Sequence, residues 1–155
     1  MSLKRLFTRG TKVGINEIDG AIESGNIHVL DLGLHSVHDS VLEEYNRAGL
    51  APIHSAVSTQ SLAVVETVVK HYQRLGVNLN IPDNFGWTVL HHAVSSKSGG
   101  AGDEEILNYL LNLDEVLVDI TNGDANTPLH YFCEKFSSPS CQSLGERLIK
   151  KGINI

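Results

Sequence analysis

Three phrases of similar sequence recur along the chain, and the clearest is Asn122-Gly-Asp-Ala-Asn-Thr-Pro-Leu-His130. The other two are Asp83-Asn-Phe-Gly-Trp-Thr-Val-Leu-His91 and Asn46-Arg-Ala-Gly-Leu-Ala-Pro-Ile-His54. Each phrase opens with Asp or Asn, carries Gly or Ala three residues later and ends in Leu-His or Ile-His. The terminal histidines lie 37 and 39 residues apart. A period of this length is typical of stacked supersecondary units rather than of one closed core.

Each phrase predicts a tight turn that leads into a helix. The opening Asp or Asn side chain can hydrogen-bond its own backbone, and Gly86 permits a positive φ. Thr88 and Thr127 can cap a helix N-terminus, and Pro52 and Pro128 suit the first helical position, where a missing N–H is harmless. We therefore predict a short helix after each turn, followed by a second and more apolar helix.

The second helices carry most of the apolar side chains. These residues are Leu62, Val64, Val65, Val68, Val69 and Tyr72 in the first copy, Ile106, Leu107, Tyr109, Leu110 and Leu111 in the second, and Leu144, Leu148 and Ile149 in the third. One helix pair cannot bury such a face by itself. Neighbouring pairs must therefore stack against one another.

At these residues the chain resembles the ankyrin repeat family, whose repeats open on Asp-x-x-Gly-x-Thr-Pro-Leu-His. Thr127-Pro-Leu-His130 matches the end of that opening in full, and residues 51–54 and 88–91 match it with substitutions. Gly76-Val-Asn-Leu-Asn80 is similar to the closing phrase of the family, and residues 21–30 resemble the middle of a degenerate first repeat. The resemblance implies an all-α ankyrin-repeat solenoid, with stacked helix-turn-helix units joined by β-hairpin-like fingers in about four repeats.

The repeats divide the chain into five predicted segments. These are an N-terminal extension (1–13), a degenerate repeat (14–45), two full repeats (46–82 and 83–121) and a repeat truncated at the C-terminus (122–155). Because the last segment stops inside its closing phrase, we expect a piece of a longer array. The repeat at 83–121 also has a Ser- and Gly-rich loop, 95–103, between its two helices, and Asp103 is predicted to cap the second of them. The loop is either a tolerated insertion or an enlargement of a binding surface.

Composition and charge exclude several classes of protein. The chain has 155 residues, of which 41% are apolar and 19% charged, which is enough apolar material for a core. A formal net charge of −6 offers no basic footprint for nucleic acid. No apolar run is long enough to span a membrane. Two cysteines are too few for a disulfide scaffold and fit a reducing compartment, so we expect an intracellular, cytoplasmic protein.

Eight histidines raise the question of a metal site. The family resemblance implies that His54, His91 and His130 have a structural role and hydrogen-bond between neighbouring turns. His35 and His38 have a spacing that can place two imidazoles on one helical face. Neither has a Cys or carboxylate partner in strict spacing, so we expect no metal site and no cofactor.

The sequence also gives little support for catalysis. Cys133 aligns with Val57 and Val94, which the repeat buries, so it is predicted to be a small core side chain rather than a nucleophile. The glycines at 99–102 lack the Lys-Ser/Thr partner of a phosphate-binding loop. We therefore expect no catalytic residue and no enzyme, and a thiol or metal-dependent enzyme is the weaker alternative.

Binding is then expected at the fingertips and along the exposed side of the first helices. The candidate partner-binding residues are Arg47, Leu50, Asn84, Phe85, Trp87, Asp124, Asn126, Ser58, Ser95 and Lys135. Phe85 and Trp87 are the aromatic residues among the fingertips, and aromatic side chains tend to anchor interfaces. The alternative is that one ring packs onto the neighbouring repeat and never meets a partner.

We interpret the chain as a protein–protein interaction module, a scaffold or adaptor that binds one partner through its fingertips and concave groove. The partner is expected to be a protein, which includes another domain of the same full-length chain, and not a nucleic acid, a membrane or a small-molecule substrate. A second interpretation is a regulatory segment of a larger multidomain signalling protein whose catalytic domain lies outside these residues.

Overall fold

The computed structural model describes residues 13–95, 101–135 and 139–153. Its α-helices are α1 (Ile15–Glu23), α2 (Ile27–His35), α3 (Pro52–Ser58), α4 (Leu62–Leu75), α5 (Val89–Ser95), α6 (Ala101–Leu111), α7 (Pro128–Lys135) and α8 (Pro139–Ile153), and a 3-10 helix spans Asp39–Glu43. No β-strand occurs within these described ranges, and no helix there is long and apolar enough to cross a bilayer.

The helices form two layers. The first helices of the units, α1, α3, α5 and α7, pack against one another in chain order, and the second helices, α2, α4, α6 and α8, do the same. Within each unit the two helices also pack together. The predicted all-α stack of helix pairs is therefore confirmed.

The turns between units, called fingers below, are built on the opening Asp or Asn. Asp83 Oδ1 accepts hydrogen bonds from the backbone N–H groups of Phe85 and Trp87, both at 2.8 Å. Asn46 and Asn122 each make the equivalent pair of bonds. Each finger is also closed by a backbone bond, such as Asp83 N–H to Trp87 O at 2.8 Å. These bonds give the fingers a hairpin-like shape without strands.

Glycine is required where successive fingers touch. Gly86 has φ +79°, and a Cβ there would lie 2.8 Å from the backbone nitrogen of Gly123. The Gly123 N–H donates to Phe85 O at 2.9 Å, so two finger backbones lie in direct contact. The last finger has Ala125 at φ +61° in the place that Gly49 and Gly86 occupy in the others.

Several helices begin or end at the residues that the sequence indicates. Pro52 and Pro128 stand at the first positions of α3 and α7, and Gly76, with φ +67°, follows the end of α4. The loop predicted at 95–103 is wrong at both ends, because α5 includes Ser95 and α6 begins at Ala101. Asp103 therefore lies in the first turn of α6 instead of capping it, a place where a carboxylate still interacts favourably with the helix dipole.

The core lies between the two layers, and both the first and the second helices fill it. Val64, Val65, Val68 and Tyr72 of α4 are completely buried. The Tyr72 hydroxyl is nevertheless satisfied, because it donates to the carbonyl of Leu42 and accepts the Ile53 N–H. The side chains of Cys133 and Cys141 lie outside the described residues, so the core position predicted for Cys133 stays a prediction.

Two buried histidines join each finger to the next one. His54 Nδ1 accepts the Ala51 N–H at 3.1 Å, and its Nε2 lies 3.0 Å from Ile81 O. His91 Nδ1 accepts the Thr88 N–H at 3.2 Å, and its Nε2 lies 2.9 Å from Asn126 O. Because Nδ1 accepts in both rings, Nε2 carries the proton and donates to the carbonyl of the following finger.

The third histidine of the series repeats the first half of this arrangement. His130 Nδ1 accepts the Thr127 N–H at 3.0 Å, and the Thr127 hydroxyl lies 2.9 Å from the same nitrogen. Unlike His54 and His91, the side chain of His130 is exposed.

The bridging role requires a neutral imidazole. The pKa of His54 is lowered to about 4, mainly by burial and to a smaller extent by the nearby His92 ring. The hydrogen bond to Ile81 and the charge of Asp83 oppose this shift. Burial also lowers the pKa of His91. Protonation would place a hydrogen on Nδ1, where it would face the N–H of Ala51 in His54 and the N–H of Thr88 in His91. Those two hydrogen bonds would then be lost.

We expect the free energy of unfolding to be constant above about pH 7 and to fall as the pH drops from 6.5 towards 4. The unfolded chain protonates His54 near 6.5, whereas the folded chain does so only near 4. This one residue contributes a slope that approaches about 1.4 kcal/mol per pH unit in that window. Urea unfolding at several pH values measures the slope. The variant His54→Gln should show a shallower slope than the wild type, and equal slopes would contradict this account.

Candidate interaction face

A cavity of about 580 Å³ opens between α1, the first finger and α3. We call it the finger groove. Its walls are lined by Asn16, Asp19, Glu23, Asn46, Arg47, Ala48, Leu50, Ser55, Ser58 and Thr59. Three of the residues predicted to bind a partner, Arg47, Leu50 and Ser58, are thus brought together around one opening.

The α1 wall of the finger groove was missed by sequence reasoning. Asp19 and Glu23 are four residues apart, so they lie on one face of α1. Asp19 Oδ2 accepts a hydrogen bond from Asn46 Nδ2 at 2.9 Å, while its buried Oδ1 has no hydrogen-bond partner among the described residues. The first repeat lacks the full opening phrase. The four-residue spacing of Asp19 and Glu23 nevertheless indicates that both carboxylates lie on one face of a helix.

Most of the residues that line the finger groove have polar side chains, but carbon atoms, including those of Ala48 and Leu50, make up the larger part of its surface. Hydroxyl, amide and carboxylate groups line it together with the guanidinium of Arg47, and neither a histidine nor a cysteine is among the lining residues. Such a surface can hold a polypeptide segment through hydrogen bonds and ion pairs.

Each finger is held against the first helix of its own unit by a bond from its opening residue. Asp83 Oδ2 lies 2.9 Å from His92 Nε2, and Asn122 Nδ2 donates to the Tyr131 hydroxyl at 2.8 Å. Burial lowers the pKa of His92, although the bond to Asp83 and its charge oppose this. In the first unit Asn46 Nδ2 donates to Ser55 Oγ at 3.4 Å, and both residues line the finger groove. These bonds hold each finger in one orientation relative to its first helix.

The two aromatic fingertip residues have different surroundings. Phe85 is 71% exposed at the tip of the second finger, next to the exposed Asn84. Trp87 is only partly exposed, because its ring lies 4.9 Å from the ring of Tyr131 and 5.6 Å from that of His92, measured between centroids. Of the two possibilities left open by the sequence, packing onto the following unit therefore describes the ring of Trp87, and its role in partner binding stays a prediction. Phe85 remains available to a partner.

The other predicted residues are dispersed. Asp124 is exposed on the third finger, and the backbone carbonyl of Asn126 is engaged by His91. Ser95 lies half-buried at the end of α5. The side chain of Lys135 lies outside the described residues. The tips of the first and second fingers are adjacent, because the Asn84 N–H donates to Gly49 O at 3.4 Å. All ten residues remain predictions as partner-binding residues.

Comparison with known proteins identifies the repeats. A family model that describes ankyrin repeats in three copies matches residues 19–119. A crystal structure of an ankyrin repeat domain from Acinetobacter baumannii is similar with a TM-score of 0.71 and 24% identity. The similarity covers 88% of this chain and 64% of that one, and it shows a common fold.

Two relatives in Dictyostelium discoideum are much longer proteins. A probable serine/threonine-protein kinase is 34% identical over 142 residues, which cover 90% of this chain and 16% of the kinase. The ankyrin repeat-containing protein kinase A is 42% identical over 99 residues, which cover 63% of this chain and 6% of that protein. The chain therefore spans less than a fifth of the length of either relative.

We expect substitutions of the two aromatic fingertip residues to affect stability differently. Trp87→Ala should lower the free energy of unfolding by about 1–3 kcal/mol, because it removes a ring packed between two units. Phe85→Ala should change it by less than about 0.5 kcal/mol, because the ring is exposed. Urea unfolding of both variants beside the wild type measures this. A larger loss for Phe85→Ala than for Trp87→Ala would show that the packing has been assigned to the wrong ring.

Proposed function

The chain belongs to the ankyrin repeat family, and on that premise we propose that it is a protein-interaction module that binds a polypeptide partner along the finger groove and the tip of the second finger. The observation that carries the proposal is Phe85, a large aromatic side chain that is 71% exposed on a finger fixed by several hydrogen bonds. An exposed ring on a rigid backbone loses little conformational entropy when it is buried against a partner.

The finger groove supplies the specificity in this proposal. Arg47 offers donors to a bound segment, whereas Asp19 and Glu23 offer acceptors and negative charge. Ser58 Oγ offers a further acceptor, because its hydroxyl donates to His54 O at 3.1 Å. Polar and charged groups of this kind select partners and their register more than they add to affinity. The formal net charge of −6 favours a protein partner over nucleic acid, and the two cysteines favour a cytoplasmic location.

A second candidate function is regulation of a catalytic domain within a longer chain. It is favoured by the two kinase relatives, each of which contains a region similar to this one as a small part of its length. The same face would then bind a domain of its own polypeptide. Two observations distinguish the two functions. The first is whether the adjoining sequence encodes a catalytic domain, and the second is whether Phe85→Ala changes the activity of that domain.

We expect Phe85→Ala to weaken binding of the natural partner about tenfold or more, because it removes the aromatic anchor. Quantitative pull-downs from cells of the source organism compare the wild type with this variant. Ser58→Arg, which fills the finger groove, should release the same partner.

Ile149→Ala is the matched control for this experiment. Ile149 is 46% exposed, but it lies on α8, in the layer of second helices. This variant should retain the partner at the level of the wild type. Equal retention by Phe85→Ala and the wild type would overturn the proposed face.

A further inference from the structure

Three side chains with metal-binding groups meet on the layer of second helices, away from the fingers. One ligand atom each from Asp31, His35 and His71 lies within 4.8 Å of the other two. His71 Nε2 is 3.0 Å from Asp31 Oδ1, and His35 Nδ1 is 3.6 Å from the same oxygen. In a tetrahedral zinc site with bonds of about 2.0–2.1 Å, ligand atoms are about 3.3 Å apart. The cluster is thus close to the required size.

We propose that Asp31, His35 and His71 bind a divalent transition-metal ion, Zn²⁺ being the best fit, and that the ion links the first unit to the second. Two imidazoles and a carboxylate are a ligand set that suits Zn²⁺. Asp31 and His35 lie one turn apart on α2, and His71 lies on α4, so the site spans two adjacent units.

The burial of the three side chains also suits a metal site. His71 is 4% exposed and is therefore fixed in place, whereas Asp31 and His35 are 51% and 52% exposed. An ion can reach the cluster from solvent and can complete its coordination with water. These histidines also differ from His54 and His91, whose two ring nitrogens are both engaged by backbone groups.

The hydrogen bonds around the cluster define what has to change on binding. His35 Nδ1, the nitrogen that lies 3.6 Å from Asp31 Oδ1, also lies 2.8 Å from the backbone carbonyl of Asp31, to which it donates. The proton of this ring must therefore move to Nε2 before Nδ1 can bind a metal ion. Arg74 Nη2 donates to His71 Nδ1 at 3.0 Å, which places the proton of that ring on Nε2, facing Asp31. A metal ion takes the place of this Nε2 proton. The neutral ring then keeps its one proton on Nδ1, and the guanidinium must move away.

This exchange makes Arg74 a competitor of the metal rather than a ligand. Its side chain is exposed, so it can swing into solvent. Removing the guanidinium should therefore strengthen metal binding, which a surface histidine that binds zinc nonspecifically would not show.

The test is a calorimetric titration of the chain with Zn²⁺ alone at about pH 7.5. We expect one saturable site, a rise in melting temperature with zinc, and at least a tenfold loss of affinity in Asp31→Asn and His71→Ala. Asp31→Asn is the safer variant, since its side chain is half-exposed and keeps its shape. His38→Ala is the matched control, because His38 is exposed, precedes the 3-10 helix and lies outside the cluster, and it should leave the affinity unchanged.

The same titration is carried out with Arg74→Leu, and we expect this variant to bind Zn²⁺ with several-fold higher affinity than the wild type. Nitrogen NMR of the imidazoles should show the proton of His71 moving from Nε2 to Nδ1 when zinc is added. Absence of saturable binding, equal affinity in Asp31→Asn and the wild type, or no gain in Arg74→Leu would each overturn the proposal. Phe85→Ala should bind zinc normally, so this result is independent of the proposed interaction face.

Discussion

A neutral imidazole buried between two fingers is the interaction on which the stack depends. His54 and His91 each hold the start of their own helix through Nδ1 and the next finger through Nε2. The hydrophobic effect that drives the helix layers together is non-directional, whereas these hydrogen bonds are directed and connect particular pairs of residues. The same bonds explain why the histidine ends each phrase, since a shorter or charged side chain could not serve both neighbours.

The candidate interaction face follows from this constraint. Once the fingers are fixed at one spacing, the opening residues Asn46 and Asp83 tie each finger to its first helix, and the finger groove keeps its shape. Phe85 then projects from a backbone that neighbouring contacts already order. The fold thus provides a preorganised surface, while the chemistry of that surface is set by side chains that the stack does not need.

The parts of the molecule that depend on short-range physics could be predicted from sequence. The turns, the proline positions and the order of helices all follow from residues close to one another in the chain. The surroundings of Trp87 could not, because they depend on Tyr131, which the third repeat supplies. The contact between Asp31 and His71 joins residues 40 positions apart and has no repeated counterpart in the sequence. Asp19 was missed because its repeat lacks the phrase that sets the register.

The left-handed backbone of Ala125 gives the last finger a conformational cost that the first two fingers avoid with Gly49 and Gly86. A methyl-bearing residue in this conformation is strained by roughly 1 kcal/mol relative to glycine. The carbonyl that receives His91 belongs to Asn126, the next residue, whereas Ile81, which receives His54, has no residue of positive φ beside it. A glycine at position 125 would remove this cost and leave the hydrogen bonds of the last finger in place.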